Sequence, residues 1–235
     1  MNILLVGYGK MGRIIEQTAI RRGHSIAGKI DVDNTGDLDH ASADVAIEFS
    51  HPDAAFDNVR RCLEKGIPVV CGTTGWLSRK AEIEKICAYH DGAFFYASNY
   101  SPGVNILFKV NEYLARIMNS FPSYEISMDE IHHTEKKDAP SGTAISLAEG
   151  ILEHVERKQK WVPGSDGRPD EIPITSFRIA QIPGTHVVKY ASPIDDIEVK
   201  HTAHSREGFA LGAVMVAEWL PGRKGSLSMD DFLKF

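Results

Sequence analysis

Three glycines placed directly after an apolar run constrain this chain more than anything else in it. Residues 3–6 form a continuous apolar segment of strand length, and it runs straight into Gly7, Gly9 and Gly12. Beyond them Met11, Ile14, Ile15, Thr18 and Ala19 recur at helical spacing. Gly23 ends that helix, and residues 25–30 read as a second strand that stops at Asp31. A strand, a G-x-G-x-x-G turn, a helix and an acid about 20 residues on make the setting in which such a turn binds a dinucleotide.

Each glycine has a separate physical task. Gly7 permits the tight turn, Gly9 lets the backbone approach a pyrophosphate, and Gly12 lets helix and strand pack closely. The free N–H groups and partial positive charge of the helix start favour an anion. Gly7, Tyr8, Gly9, Lys10, Met11 and Gly12 are therefore candidate cofactor contacts. Asp31 can accept hydrogen bonds from a ribose diol and repels a 2′-phosphate. Val32 supplies no clamp for such a phosphate, whereas Lys10 and Arg13 could offset the acid. NADH is the expected cofactor, with NADPH use left open.

The rhythm of the first unit then repeats. Residues 44–49, 67–71 and 93–97 read as strands, and residues 52–65 and 78–89 as helices. Alternation of this kind predicts a parallel, doubly wound sheet. Ligands of such sheets bind beyond the carboxyl ends of the strands. Gly72, Thr73 and Thr74 follow one strand, and Ala97, Ser98, Asn99 and Tyr100 follow the next, so both groups join the candidate cofactor contacts.

After Pro102 the pattern changes. Residues 104–118 and 143–157 are helical in spacing, and residues 124–132 alternate like a strand. A polar loop rich in proline and glycine follows, and residues 174–182, 186–191 and 196–204 look like antiparallel strands. Residues 208–220 return to helical spacing. The expected architecture is a Rossmann-like α/β domain, residues 1–103 with 208–235. An α+β domain with a mostly antiparallel or mixed sheet fills residues 104–207.

Composition narrows the function. A net charge of −6 speaks against a general nucleic-acid binder, whose footprint is basic. No apolar run approaches the roughly 18 residues of a membrane span. The first strand begins at Asn2, which leaves no room for a signal peptide. Cys62, Cys71 and Cys87 lack close spacing and read as buried thiols in a reducing compartment. The expected location is the cytoplasm, with no nucleic-acid or membrane partner.

The segment IHHTEKKDAPSGTA, residues 131–144, collects proton chemistry and charge. A strand delivers His132 and His133 with side chains on opposite faces, so the two should have different tasks. No metal site is expected: the adjacent histidines lack helical i, i+4 placement and have no cysteine near, and His201 with His204 is a weak metal candidate. Histidine titrates near neutral pH and suits proton transfer, and Lys136 can bind a carboxylate or donate a proton. Ser141, Gly142 and Thr143 fall where a helix starts and its N–H groups lack intrahelical partners. That start could cradle a carboxylate or phosphate, or Ser141 could simply cap the helix.

Taken together these residues resemble the 4-hydroxy-tetrahydrodipicolinate (dihydrodipicolinate) reductase family of bacterial diaminopimelate and lysine synthesis. The resemblance rests on VGYGKMG, IEFSHP, GTTG, SNYSPGVN, EIHHTEKKDAPSGTA and HTAHSREGFALGA, which span nearly the whole chain. It implies a substrate domain that also forms a homotetramer, and a last helix that returns to the first domain. It implies hydride transfer from NAD(P)H to a small cyclic imine dicarboxylate, with loss of water. By position, His132 resembles the catalytic proton donor and acceptor, and Lys136 the second donor. His133, Ser141, Gly142 and Thr143 resemble the substrate contacts. The chain departs from the family in its short glycine turn, in Val32 and in Thr134-Glu135. The first half alone would equally suit another Rossmann-type oxidoreductase acting on a small carboxylate, or a non-catalytic NAD(H) sensor.

Overall fold

In the computed structural model, which describes residues 1–234, the chain divides into two compact units. One comprises Met1–Pro102 with Glu207–Phe235, the other Gly103–Arg206. The first contains β1 (Asn2–Val6), α1 (Lys10–Arg21), β2 (Ser25–Ile30), β3 (Val45–Glu48), α2 (Pro52–Glu64), β4 (Val69–Cys71), α3 (Lys80–Tyr89) and β5 (Ala93–Tyr96). The second contains α4 (Pro102–Met118), β6 (Glu125–His132), α5 (Gly142–Leu152), β7 (Lys160–Pro163), β8 (Glu171–Arg178), β9 (Gly184–Ala191) and β10 (Asp196–Ala203). The chain then adds α6 (Glu207–Trp219), β11 (Gly225–Leu227) and α7 (Met229–Leu233) to the first unit.

The first unit is built on a six-stranded parallel sheet in the order β11-β5-β4-β3-β1-β2. Its strands read as unbroken apolar runs because both faces are covered. Along β1, Ile3 and Leu5 join α1 and α6 residues such as Ile15, Ala19, Ala213 and Val214. Leu4 and Val6 point the other way, toward Ala55, Val59 and Leu63 of α2 and Ile83 of α3. Phe94 and Phe95 divide between the two cores in the same manner, and burying each stabilises by roughly 1.5–3 kcal/mol. Gly212 lets α6 lie close to the segment that follows β5: a Cβ there would stand 1.7 Å from the Tyr100 carbonyl oxygen. The three cysteines are buried and free, as their spacing predicts.

The sheet order reverses between β1 and β3. The chain leaves β1 for β2 on one side, then returns to lay β3 on the other. A crevice opens at such a switch point, beyond the carboxyl ends of the strands.

The second unit has a mixed five-stranded sheet in the order β10-β9-β6-β8-β7. Of the two expected arrangements, the mixed one is found. β8 pairs parallel with β6 and with β7, while β9 pairs antiparallel with β6 and β10. Strands β8 and β9 are sequence neighbours, yet β6 lies between them. Strand β7 and the closing β11 are too short to announce themselves by periodicity. Helix α5 stops at Leu152, short of the expected residue 157, in a turn-rich stretch. One face of the sheet carries Ile126, Met128, Ile172, Ile174, Val188 and Tyr190 against Leu107 and Met118 of α4 and Leu147 and Ile151 of α5.

Candidate active site

In the first unit Gly7 and Gly12 take the structural roles their spacing suggests. Gly7 has φ +92°, and a Cβ there would sit 2.1 Å from the Phe49 carbonyl oxygen. Gly12 packs against the turn, with the Gly7 carbonyl 2.3 Å from its would-be Cβ. Gly9 differs: nothing lies within 4 Å of a Cβ built on it. Its missing side chain therefore clears space for something other than protein. Gly9 also stands at the start of α1, whose first N–H groups face that space.

Two cavities meet around Gly9. One, of about 210 Å³, is lined by residues including Gly7, Tyr8, Gly9, Asp31, Val32 and Asn58. The other, of about 320 Å³, is lined by Gly9, Lys10, Met11, Pro52 and the Gly72–Thr74 turn. Phe49 and Ser50 line both. They belong to the IEFSHP stretch just past β3, which the rule about carboxyl ends of strands could have singled out. The would-be Cβ of Gly72 stands 2.2 Å from the Phe49 ring, so that glycine seats the aromatic. The Thr73 hydroxyl is already committed, accepting from the Ser50 N–H at 2.8 Å and so tying the two turns together.

Asp31 follows β2 with its carboxylate exposed, and no cation pairs with it among the described residues. Lys29, nearby in sequence, is bound at 2.6 Å to Glu16 and lies over the Tyr8 ring. Tyr8 donates its hydroxyl to Glu16, and Arg13 stacks on the same ring. The residues after β5, Ala97, Ser98, Asn99 and Tyr100, line neither of these two cavities. Tyr100 is a core side chain, 2% exposed, packed on Phe49 and Phe95 and donating its hydroxyl to the Cys71 carbonyl at 2.7 Å. Asn99 is turned to its own backbone and accepts from the Ser101 N–H.

In the second unit strand register does the gathering. Glu130 and His132 share the inner face of β6 with Ile126 and Met128, by the two-residue period of a strand. Register places Arg178 of β8 beside His132 and His186 of β9 beside Glu130. Glu130 is fully buried. One of its oxygens accepts from the His132 Nδ1–H, and the other accepts from Arg178 Nη2 at 2.8 Å. Burial would raise the Glu130 carboxyl, but hydrogen bonds from Arg178, Ser176 and His132 outweigh it and hold the group below the usual carboxylate range. Burial lowers His132, against the opposing pull of Glu130, so the imidazole is neutral near pH 7. With Nδ1–H given to Glu130, Nε2 carries the lone pair.

His186, 5% exposed, is pushed down to about 4 by burial first and by the neighbouring His132 ring second. The two rings lie 5.1 Å apart, edge to face. His186 Nε2 meets Ser141 Oγ at 3.0 Å, and that same oxygen accepts from the Ala144 N–H at 3.3 Å. Ser141 is thus the N-cap of α5, buried and engaged on both sides. Gly142 lies open: nothing is within 4 Å of a Cβ built there. The free N–H groups at the α5 start form a ready anion site. Lys136 pairs with Asp138 at 2.8 Å. His133, half-buried, keeps a buried Nδ1 without a hydrogen-bond partner.

Ligand-capable atoms of Glu130, His132 and His186 lie within 4.8 Å of one another, a grouping that spacing did not announce. They are engaged already: Glu130 with His132 and a guanidinium, His186 with Ser141. Hydrogen bonding of this kind describes a proton site. Arg178 and His186 were not legible as site residues, because register brings them in from strands far along the chain, whereas the two-residue period of a strand could have placed Glu130 on the His132 face.

A Rossmann-type unit with an open glycine turn, joined to a unit that pairs a buried imidazole with an anion-binding helix start, defines a nucleotide-dependent oxidoreductase. Family models for the N-terminus and C-terminus of dihydrodipicolinate reductase match residues 1–100 and 103–233. The chain belongs to the dihydrodipicolinate reductase family. It is 49% identical over 234 residues to 4-hydroxy-tetrahydrodipicolinate reductase of Christiangramia forsetii, covering 99% of this chain and 98% of that one. It is 33% identical to the enzyme of the same name from Archaeoglobus fulgidus, covering 96% of each. Its fold matches a dipicolinate-bound dihydrodipicolinate reductase from Paenisporosarcina sp. TG-14 with a TM-score of 0.80 at 18% identity, over 99% of each chain.

Proposed function

We propose that this chain reduces 4-hydroxy-tetrahydrodipicolinate to tetrahydrodipicolinate, with water as the leaving product and NAD(P)H as the hydride source. The observation that carries the reading is the pairing, within one unit, of a neutral His132 held by Glu130 with the open N-terminus of α5 at Gly142. The α5 start, with Gly142 and Thr143, binds one carboxylate of the substrate. His133 supplies a further contact. The negative charge of an arriving dicarboxylate raises the His132 imidazole toward protonation. His132 Nε2 then takes or gives the proton that the reduced ring requires. Lys136 exchanges Asp138 for a substrate carboxylate and serves as the second donor.

Bound at the glycine turn, the nicotinamide nucleotide supplies the hydride. Gly7 to Gly12 hold its pyrophosphate, and Gly72 to Thr74 contact its far end. The exposed Asp31 receives the ribose diol, and NADH is the preferred nucleotide. Support comes from the exposed Asp31 carboxylate, which has no cation beside it among the described residues and accepts from the Val32 N–H, and from Lys29 being neutralised by Glu16. The reading includes a cytoplasmic homotetramer without nucleic-acid or membrane partners. The net charge of −6 agrees with it, and no helix among the described residues is long and apolar enough to cross a membrane.

The test is NADH oxidation with the cyclic substrate made enzymatically from pyruvate and aspartate semialdehyde. Turnover supports the reading, and none, with nucleotide binding intact, removes it. The ratio of kcat/KM for NADH and NADPH should favour NADH. Thr143→Val should raise KM for the cyclic substrate more than for NADH. Equal rises would assign Thr143 to packing.

A further inference from the structure

Arg178 sits where three parts of the second unit converge, and nothing in the linear motif points to it. Its backbone is the β8 neighbour of His132 in the sheet. Its guanidinium reaches in two directions. Nη2 donates to Glu130 at 2.8 Å, the carboxylate that accepts from His132 Nδ1. The same guanidinium donates to the loop that carries Lys136, with Nη2 to the Asp138 carbonyl at 2.6 Å and Nε to the Lys136 carbonyl at 3.3 Å. Nη1 donates to the Phe177 carbonyl at 2.8 Å, which fixes the plane of the fork.

Apart from the Lys136–Asp138 ion pair, the loop is held mainly by backbone. Thr134, Glu135, Lys137, Asp138 and Ala139 are exposed, and within the loop the Lys136 N–H donates to the His133 carbonyl. A planar, five-donor guanidinium can serve a carboxylate and two carbonyls at once, whereas a lysine ammonium is a single point on a flexible stem.

We propose that Arg178 is the positioning residue of this site, fixing the His132 imidazole through Glu130 and the Lys136 loop through its carbonyls. One side chain then sets the register between the two proton-handling groups. The proposal rests on the roles given above to His132 and Lys136. Glu130 acts as the intermediary that selects the Nδ1–H tautomer and leaves Nε2 for the substrate. The carboxylate also raises the imidazole against the effect of burial. Without that charge His132 titrates lower, and any limb of the pH profile that belongs to it moves to lower pH, whether the ring acts as acid or as base.

Two variants separate the two arms. Glu130→Gln keeps the shape of the buried side chain and removes the charge. Nitrogen NMR of labelled histidine should show a single Nδ1–H tautomer for His132 in the parent protein at pH 7.5. In Glu130→Gln it should show a mixture, with the titration moved to lower pH and turnover down about 10²-fold, the low end of what general acid–base catalysis contributes. Arg178→Lys keeps a cation beside Glu130 and loses the fork. Amide exchange across residues 134–140 should then quicken about tenfold while exchange in β6 stays as it was, and turnover should fall with NADH affinity unchanged. An unchanged His132 tautomer and titration in Glu130→Gln, or unchanged exchange of the loop in Arg178→Lys, would overturn the proposal. Neither spectroscopic readout requires turnover. A parent protein inactive on the cyclic substrate would thus remove the functional reading while these measurements still judge the positioning role.

Discussion

The glycine turn of the first unit and the polar cluster of the second are both candidate sites, but they are made differently. The turn is made of backbone. Gly7, Gly9 and Gly12 lie within six residues, and what matters about them is a missing side chain. The cluster is made of side chains from three strands. Glu130 and His132 share one face of β6, and Arg178 and His186 join them only because the sheet interleaves its strands out of sequence order. A site made of backbone is written in consecutive residues, whereas a site made by register is written only in the fold.

That contrast accounts for what the sequence disclosed. The parallel sheet was legible because apolar runs, helical spacing and Gly or Pro breaks alternate without interruption up to Tyr96. His132 and the SGT helix start were legible because they lie in one short segment. Arg178 was not, since a lone arginine near the end of a strand looks like any solvated charge until register sets it beside His132. The setting of the Tyr100 side chain was hidden too: its place after β5 says nothing of a ring that fills the core beside Phe49 and Phe95. Strand order in the second sheet was hidden as well, because adjacency in sequence usually means pairing and here β6 intervenes.

The comparison can be broken by asking what each site loses when altered. The largest effect on stability belongs to the turn. Gly7→Ala adds a Cβ against the Phe49 backbone at positive φ, and unfolding should be easier by about 3 kcal/mol or more. Denaturant melts that match the parent would refute the strain.

The cluster should respond to pH instead. His186 stays neutral in the folded protein down to about 4, whereas the unfolded chain protonates it near 6.5. The unfolded state therefore binds more protons between those values, and stability falls as pH drops through that window. The contribution is about 3 kcal/mol, at 1.36 kcal/mol per pH unit. His186→Gln should flatten the slope of unfolding free energy between pH 6.5 and 4, and an unaltered slope would show that His186 is charged in the fold.

Ser141→Ala should cost about 1 kcal/mol, the usual worth of a helix cap, with its partners Ala144 N–H and His186 left unsatisfied. No change in melting would mean that Ser141 serves the ligand alone. The smallest change in stability is expected at the two open glycines. Gly9→Ala and Gly142→Ala meet no protein atoms and should melt within about 0.5 kcal/mol of the parent. Gly9→Ala should weaken NADH binding about tenfold, and Gly142→Ala should raise KM for the cyclic substrate by a similar factor. A loss of stability in either would mean that the space around it is not free.

The central claim is that nucleotide binding belongs to the glycine turn and proton chemistry to His132. Titration of NADH into the parent and into His132→Ala, run beside turnover of 4-hydroxy-tetrahydrodipicolinate, tests it most directly. The account predicts the same Kd for NADH within about twofold and a fall in turnover of about 10²–10⁴. Turnover that survives the substitution, or a Kd that collapses together with it, would contradict the account.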